Sequence, residues 1–246
     1  MRKIFLRKYS LPLVLLIILT GLFSIIPSCG GGGGGSSSPP STPIGTAVNL
    51  SQMKSYLEAT ATPVSTASFQ ASGTSNTGVQ LTGTFSFTVT GPTTTTTPAG
   101  IQTVNVVQQY TSITIISTGA TISGISTDYI YQTGYLYKRI DSDGTIYTPI
   151  SQTLLPVSAK VGDSGNDATL SISDGSTETS TWRIDPGTNG DAILVFNFIT
   201  TNSLSQVAMT EEDDYTIKPD GTVSALSVKA YDATSGITIT MSGNRI

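Results

Sequence analysis

The sequence contains no histidine and a single cysteine, Cys29, so any chemistry falls to acids, hydroxyls and tyrosines. Ser-His-Asp and Cys-His centres need an imidazole to accept the proton of the nucleophile, and zinc sites that use histidine are excluded as well. Hydrolysis by two carboxylates remains possible, but the spacing of Glu58, Glu178, Glu211 and Glu212 singles out no pair. We therefore expect a protein that is not an enzyme, with a carboxylate hydrolase as the last alternative.

The densest run of acids in the sequence is Glu211, Glu212, Asp213 and Asp214. Neighbouring carboxylates can bind calcium weakly, because hard cations prefer oxygen ligands. The commoner role of such a run is a solvated strand edge, which its charge keeps from pairing with other chains. We expect the edge and predict no metal site; these four acids are the weak candidates for one.

Four tyrosines, Tyr129, Tyr131, Tyr135 and Tyr137, lie close together in the sequence. If residues 132–134 form a three-residue hairpin loop, Tyr131 and Tyr135 oppose each other and all four rings share one face of the sheet. Such a face could stack on sugars or contact a partner protein, or it could be an ordinary wall of the core. We favour packing in the core or ordinary packing across neighbouring strands, and keep the four rings as the possible ligand surface.

Three short motifs have the spacing of known active sites or metal loops but lack their companions. Residues 51–54 match the S-x-x-K motif of serine β-lactamases and penicillin-binding proteins, yet no S-D-N or K-T-G follows. Residues 163–165 resemble the D-[ST]-G motif of aspartic proteases in a single copy. Residues 141–144 resemble the start of a calcium loop whose later ligands are missing. We predict a helix turn, a loop turn and a hairpin turn, respectively.

The amino terminus has the pattern of an export signal. Arg2, Lys3, Arg7 and Lys8 precede an apolar run over residues 11–26. This run is shorter than the roughly 20 apolar residues that a membrane-spanning helix needs. The sequence therefore predicts a signal peptide over residues 1–28.

The signal ends in Ile26-Pro27-Ser28-Cys29, which resembles the lipobox of bacterial lipoproteins. The resemblance implies that diacylglycerol is attached to the sulfur of Cys29 and that the signal peptide is removed. Because several acyl chains on one residue hold a protein firmly at a bilayer, it also implies a cell-envelope location. The family places an aspartate after the cysteine for retention at the inner membrane, and Gly30 there implies the outer membrane in a host that has one.

Residues 29–46 are rich in glycine, serine and proline, which predicts a flexible tether between the lipid and the domain at 47–246. Removal of the signal takes away four of the 12 basic residues and none of the 16 acids, leaving a formal net charge of −8. An acidic domain without a basic cluster is a poor ligand for phosphate backbones. We therefore expect no nucleic-acid partner and no cofactor besides the covalent lipid.

The rest of the chain alternates with period two and is rich in Thr, Val, Ile and Tyr, which is typical of half-buried strands. Phe85, Phe87 and Val89 point one way while the threonines and serines between them point the other. Tight Asp-Gly and Ser-Gly turns join the strands, so neighbours pair antiparallel. We predict one mainly β domain, either a sandwich or a curved half-barrel, with a short helix near residues 50–57 that covers one side or edge of the sheet; residues 91–98 are predicted to be a loop.

These observations predict a non-catalytic binding or structural lipoprotein whose ligand could be a protein, a glycan or a lipid. The order of elements, a helix and then a long meander, loosely resembles the LolA and LppX-type lipoprotein carriers. That resemblance implies an acyl-sized cavity between helix and sheet, and carriage of an apolar ligand is the alternative function.

Overall fold

The computed structural model describes residues 41–58 and 65–246, so the predicted signal peptide, Cys29 and most of the predicted tether lie outside the described residues. The described residues form one helix, α1 (Ser51–Leu57), and fourteen strands. The strands are β1 (Ala47–Asn49), β2 (Ser65–Ser75), β3 (Gln80–Thr97), β4 (Gly100–Ile115), β5 (Thr121–Tyr131), β6 (Leu136–Asp141), β7 (Ile146–Gln152), β8 (Ser158–Lys160), β9 (Ser164–Ile172), β10 (Thr177–Pro186), β11 (Ala192–Thr201), β12 (Val207–Ile217), β13 (Val223–Asp232) and β14 (Ile237–Arg245).

Twelve of these strands form one closed barrel in which every neighbouring pair is antiparallel. Around the barrel the order is β10-β11-β12-β13-β14-β2-β3-β4-β5-β6-β7-β9, and β9 pairs with β10 to close it. β1 and β8 form a separate two-stranded sheet. The prediction of a mainly antiparallel β domain with one short helix is confirmed. The closed barrel has no free edges and is a more definite architecture than the predicted sandwich or half-barrel.

Strand alternation decides which side chains enter the barrel. On β3, Leu81, Phe87 and Val89 are buried, while the intervening threonines lie on the outer face and are partly exposed. Burying such side chains stabilises the fold by roughly 1.5–3 kcal/mol each. The predicted direction of Phe87 and Val89 is confirmed, and the same alternation continues around the barrel.

Two glycines allow the barrel wall to bend where β14 meets β2. A Cβ atom on Gly73 would lie 1.9 Å from the carbonyl oxygen of Thr240, and one on Gly243 would lie 1.9 Å from that of Gln70. Glycine is the residue that permits such close approach of two backbones at a barrel bend. Glycine at these two positions therefore allows β14 and β2 to approach closely where the sheet bends.

Helix α1 closes one end of the barrel, which we call the plugged end. Twelve strands enclose more space than their own side chains fill, and the buried side chains of Leu50, Met53 and Tyr56 pack into that space. Nη2 of Arg245 donates a hydrogen bond to the hydroxyl of Tyr56 at 2.9 Å, which joins the helix to the last strand. The helix thus lies at an end of the barrel. The prediction that it covers one side or edge of the sheet was wrong.

The segment predicted to be a loop over residues 91–98 is mostly strand. β3 continues to Thr97 and pairs with the start of β4, with a register shift between Thr90 and Thr93 around Pro92. Proline cannot donate a ladder hydrogen bond and is accommodated at such irregularities, while the following threonines are β-branched and suit a strand. The loop prediction was wrong because it gave the proline and glycine more weight than the run of threonines.

The last six residues of the predicted tether lie against the domain. Ser41 bridges to Thr188, and the amide of Thr42 donates to the carbonyl of Gly187 at 2.9 Å. The amide of Gly45 donates to the carbonyl of Val161 at 2.8 Å. Within the described residues, the chain thus contacts the domain from Ser41 on, at the plugged end, where β10 turns into β11.

Candidate functional site

A cavity of about 440 Å³ lies inside the barrel, between helix α1 and the opposite end. Part of its wall is apolar and aromatic, including Phe87, Phe196 and Phe198. Leu57 and Leu155 close it on the side of the plugged end. The rest of the wall is polar and includes eight acids and Arg139. The volume is in the range of ordinary small-molecule pockets.

The cavity opens where one strand is too short to continue the wall. β6 pairs with β5 over residues 126–130, and the amide of Ser142 donates to the carbonyl of Ile125 at 2.8 Å, so residues 121–124 of β5 extend past the end of β6 without a partner on that side. The exposed residues Ile125, Ser142 and Asp143 line the cavity at this point. The opening, which we call the mouth, is therefore at the end of the barrel opposite helix α1.

Arg139 on β6 points into the cavity and contacts two carboxylates. Its Nε donates to Oδ1 of Asp128 at 2.7 Å, and its Nη1 lies 3.7 Å from Oε1 of Glu178. Gln109 donates to the other oxygen of Asp128 at 3.0 Å. Burial opposes the charge of Arg139, but the attraction of Asp128 and Glu178 outweighs it and raises the pKa of the guanidinium well above its usual value.

Glu178 on β10 is the glutamate of this network. Only 8% of the residue is exposed, and its carboxyl is paired with Arg139 alone among the described basic residues. Burial raises its pKa from 4.5 to about 7, against the lowering effect of Arg139. A carboxyl that titrates near neutrality inside a cavity is a common mark of a functional site.

Two further acids line the cavity beside serines. Ser126 donates to Asp141 at 2.8 Å and Ser180 donates to Asp167 at 2.7 Å. Burial raises the pKa of both carboxyls, and each serine hydrogen bond opposes that rise. The hydroxyls therefore compensate part of the cost of burying these acids.

The acid run on β12 is divided between the two faces of the barrel. Glu211 and Asp213 line the cavity, whereas Glu212 and Asp214 alternate with them and lie on the outer face. β12 pairs on both sides, so the prediction of a solvated strand edge was wrong. The four acids do not converge on one point, and the described residues contain no group of three or more side chains that could hold a metal ion.

Glu211 and Asp213 interact with each other inside the cavity. Burial raises the pKa of both carboxyls, and their mutual repulsion and hydrogen bond raise that of Asp213 furthest. No N–H or O–H group of the described residues donates to Oδ1 of Asp213.

The tyrosine cluster lies on the outer face of the barrel. Ile130 and Asp128 of β5 are buried in the interior, so Tyr129 and Tyr131 point outward. The rings of Tyr131 and Tyr137 are 5.6 Å apart, and Nζ of Lys138 lies 5.1 Å from the ring centre of Tyr129. The core alternative was wrong, and the rings pack across neighbouring strands, which was the other packing expected. Tyr135 is 44% exposed, so the ligand surface stays a prediction.

The short motifs occupy the positions that their simpler interpretations predicted. Lys54 on α1 donates to Glu58 and to the carbonyl of Leu155, and the amide of Leu155 donates to Glu58 at 2.8 Å. Asp163 receives the amide of Lys160 in a turn. The turn over residues 141–144 joins β6 to β7. Lys54 and Glu58 thus attach the helix to the loop before β8.

Sequence reasoning missed Arg139, Asp128, Asp141 and Asp167, and it treated Glu178 as one glutamate among four. Charged residues at inward positions of period-two strands were the available signal. Their convergence depends on barrel closure, which no local pattern specifies.

Comparisons of the chain with protein families, with curated proteins and with solved structures find no match. In the described ranges no helix has the length and apolar character to cross a bilayer.

Proposed function

We propose that this protein is a lipid-anchored binding lipoprotein of the cell envelope that holds a small ligand inside its barrel. The observation that carries the proposal is the cavity of about 440 Å³, because a purely structural barrel gains stability by filling such a space. The mouth beside Ile125 and Ser142 gives a ligand access to it. The lipobox at residues 26–29 supplies the anchor, and the host's outer membrane is the proposed location.

The anchor is tested by substitution of Cys29. In native cells, Cys29→Ser is expected to move the protein from the membrane fraction to the soluble fraction, because the acyl chains can no longer be attached. The intact mass of the wild-type protein should correspond to residues 29–246 plus the lipid. A wild-type protein that keeps residues 1–28, or that carries no acyl adduct, contradicts the proposal.

Ligand binding in the cavity is tested by filling it. Ala168 on β9 lines the cavity, whereas its neighbour Thr169 does not. Ala168→Trp is expected to abolish binding of the neutral dye Nile red and of any small molecule that purifies with the native protein, because the indole occupies the ligand's space. Dye fluorescence and native mass spectrometry measure the two effects.

Thr169→Trp is the matched control and should bind as the wild type does. Thermal unfolding of both variants checks that the barrel is intact. Equal dye binding by Ala168→Trp and the wild type would show that the dye lies elsewhere, and together with a native protein free of small molecules this would overturn the proposal.

A carboxylate hydrolase is the second candidate, and a specific observation favours it. Glu178, with a pKa of about 7, and the ion-paired Asp128 contact the same guanidinium in a cavity. One protonated and one ionised carboxyl are the combination that glycoside hydrolysis uses. Release of nitrophenol from nitrophenyl glycosides by the wild type, lost in Glu178→Gln, would replace binding with catalysis as the function.

A further inference from the structure

Two aromatic rings and two acids alternate along neighbouring strands on the wall of the cavity. In the register of β11 and β12, Phe196 lies opposite Asp213 and Phe198 lies opposite Glu211. Directly opposite residues have Cβ atoms about 4.5–5.5 Å apart. The rings of Phe196 and Phe198 are stacked with centres 6.1 Å apart. The wall therefore presents ring and carboxyl side by side, twice.

The charges of the cavity are unbalanced among the described residues. Arg139 is the one basic residue that lines it, and its guanidinium is already occupied by Asp128 and Glu178. Glu211 and Asp213 have no basic partner in contact. Oδ1 of Asp213 is buried without a donor, and the nine-tenths buried Glu178 has unused hydrogen-bonding capacity. A concave site with an excess of one charge attracts the opposite charge.

We infer that Glu211, Asp213 and the rings of Phe196 and Phe198 hold the ammonium group of an organic cation whose apolar body fills the cavity. This inference rests on the proposed binding function and names its ligand class. Aromatic faces attract ammonium groups through their quadrupole, and the attraction grows when the site is desolvated. The carboxyls supply the countercharge, and Phe87 and Leu155 contact the apolar body.

An organic cation fits this wall better than a metal ion or a fatty acid. A metal ion needs several converging oxygen ligands, and the described residues contain no group of three or more side chains that could hold one. A fatty acid would bring a further carboxylate into a site whose acids already outnumber its one arginine. The ammonium ion instead brings a positive charge to Glu211 and Asp213, which have no basic partner in contact.

The test compares a cation with its neutral isostere. Benzyltrimethylammonium and neopentylbenzene have the same shape and differ in one charge, and each is titrated against Nile red bound to the full-length protein. The wild type is expected to bind the cation at least about tenfold more tightly than the isostere. In the double variant Glu211→Gln/Asp213→Asn this preference should disappear, while the affinity for neopentylbenzene stays unchanged.

The outer acids of the same strand provide the control. Glu212→Gln/Asp214→Asn removes the same two charges from the opposite face of β12 and should keep the preference. If the inner double variant does not fold, Asp213→Asn alone is used, with a smaller loss expected. Equal affinities for the two probes in the wild type, or a preference that survives the inner substitutions, overturn the inference and leave cavity binding intact. If neither probe displaces the dye, the inference is overturned too, while the proposed function is still decided by the dye binding of Ala168→Trp.

Discussion

Arg139 lies inside the barrel and Arg183 lies outside it, and each of the two arginines contacts two carboxylates. Arg139 contacts Asp128 and Glu178, and Arg183 contacts Asp185 at 2.9 Å and Glu212 at 3.2 Å. The acid side chains are 6% and 10% exposed inside, against 40% and 36% outside. The same ionic groups should therefore differ in how much they affect the free energy of unfolding, because solvent screens the outer pairs and does not screen the inner ones.

The largest effect is expected when the inner arginine is removed. Arg139→Met should lower the free energy of unfolding by about 3–5 kcal/mol at pH 8, because Asp128 then loses its basic partner inside the barrel and Glu178 loses the charge that lowers its pKa. Urea unfolding monitored by circular dichroism measures the loss.

A rescue experiment separates charge from packing. Adding Asp128→Asn and Glu178→Gln to Arg139→Met should recover most of the lost stability, since the two carboxylates that Arg139 contacts are then neutral amides. A triple variant as unstable as Arg139→Met would show that Arg139 stabilises the fold through its packing. The difference between the inner and the outer arginine would then not be one of charge.

A smaller effect, with a definite pH dependence, is expected for Glu178→Gln. The pKa of Glu178 is about 7 in the folded protein and 4.5 as its usual value, so the fold holds this proton more tightly than the unfolded chain does. Its contribution to stability is complete below pH 4.5 and is lost as the pH rises through 7. The glutamine should therefore raise the free energy of unfolding by roughly 3 kcal/mol at pH 8 and leave it unchanged at pH 4.

Urea unfolding at the two pH values measures this difference. The inner groups that bear on Glu178 are Arg139, Glu211, Asp141 and Asp128. Glu212→Gln, on the outer face, is the matched control and should change the stability by less than about 0.5 kcal/mol at either pH. The same gain at pH 4 as at pH 8 would refute the titration of Glu178 as the cause.

The smallest effect is expected outside the barrel. Arg183→Met should cost less than about 1 kcal/mol, because ion pairs at partly exposed positions are screened by water and salt. The cost should fall further in 1 M sodium chloride. A loss as large as that of Arg139→Met would remove the distinction between the two networks.

The sequence was sufficient for the class of fold because the relevant signals are local. Alternation along residues 85–89 predicted which side chains enter the core, and the turn residues predicted antiparallel neighbours. Closure was not predictable, since the pairing of β9 with β10 and the bends at Gly73 and Gly243 depend on how distant strands meet.

The candidate site was less predictable than the fold, because it too depends on how distant strands meet. The run 211–214 was treated as one patch, although period two already assigns alternate acids to opposite faces. Arg139, Asp128 and Glu178 lie on three strands, and only the barrel order brings them together. The tyrosines were assigned to the wrong face because both faces of β5 carry large side chains.

The attachment of residues 41–45 to the plugged end decides which end of the barrel is nearer to the proposed anchor. Eleven residues separate Cys29 from Ser41, a reach of roughly 40 Å when fully extended. Lipid on Cys29 would therefore keep Ser41 within that distance of the head groups, while the mouth lies at the far end of the barrel.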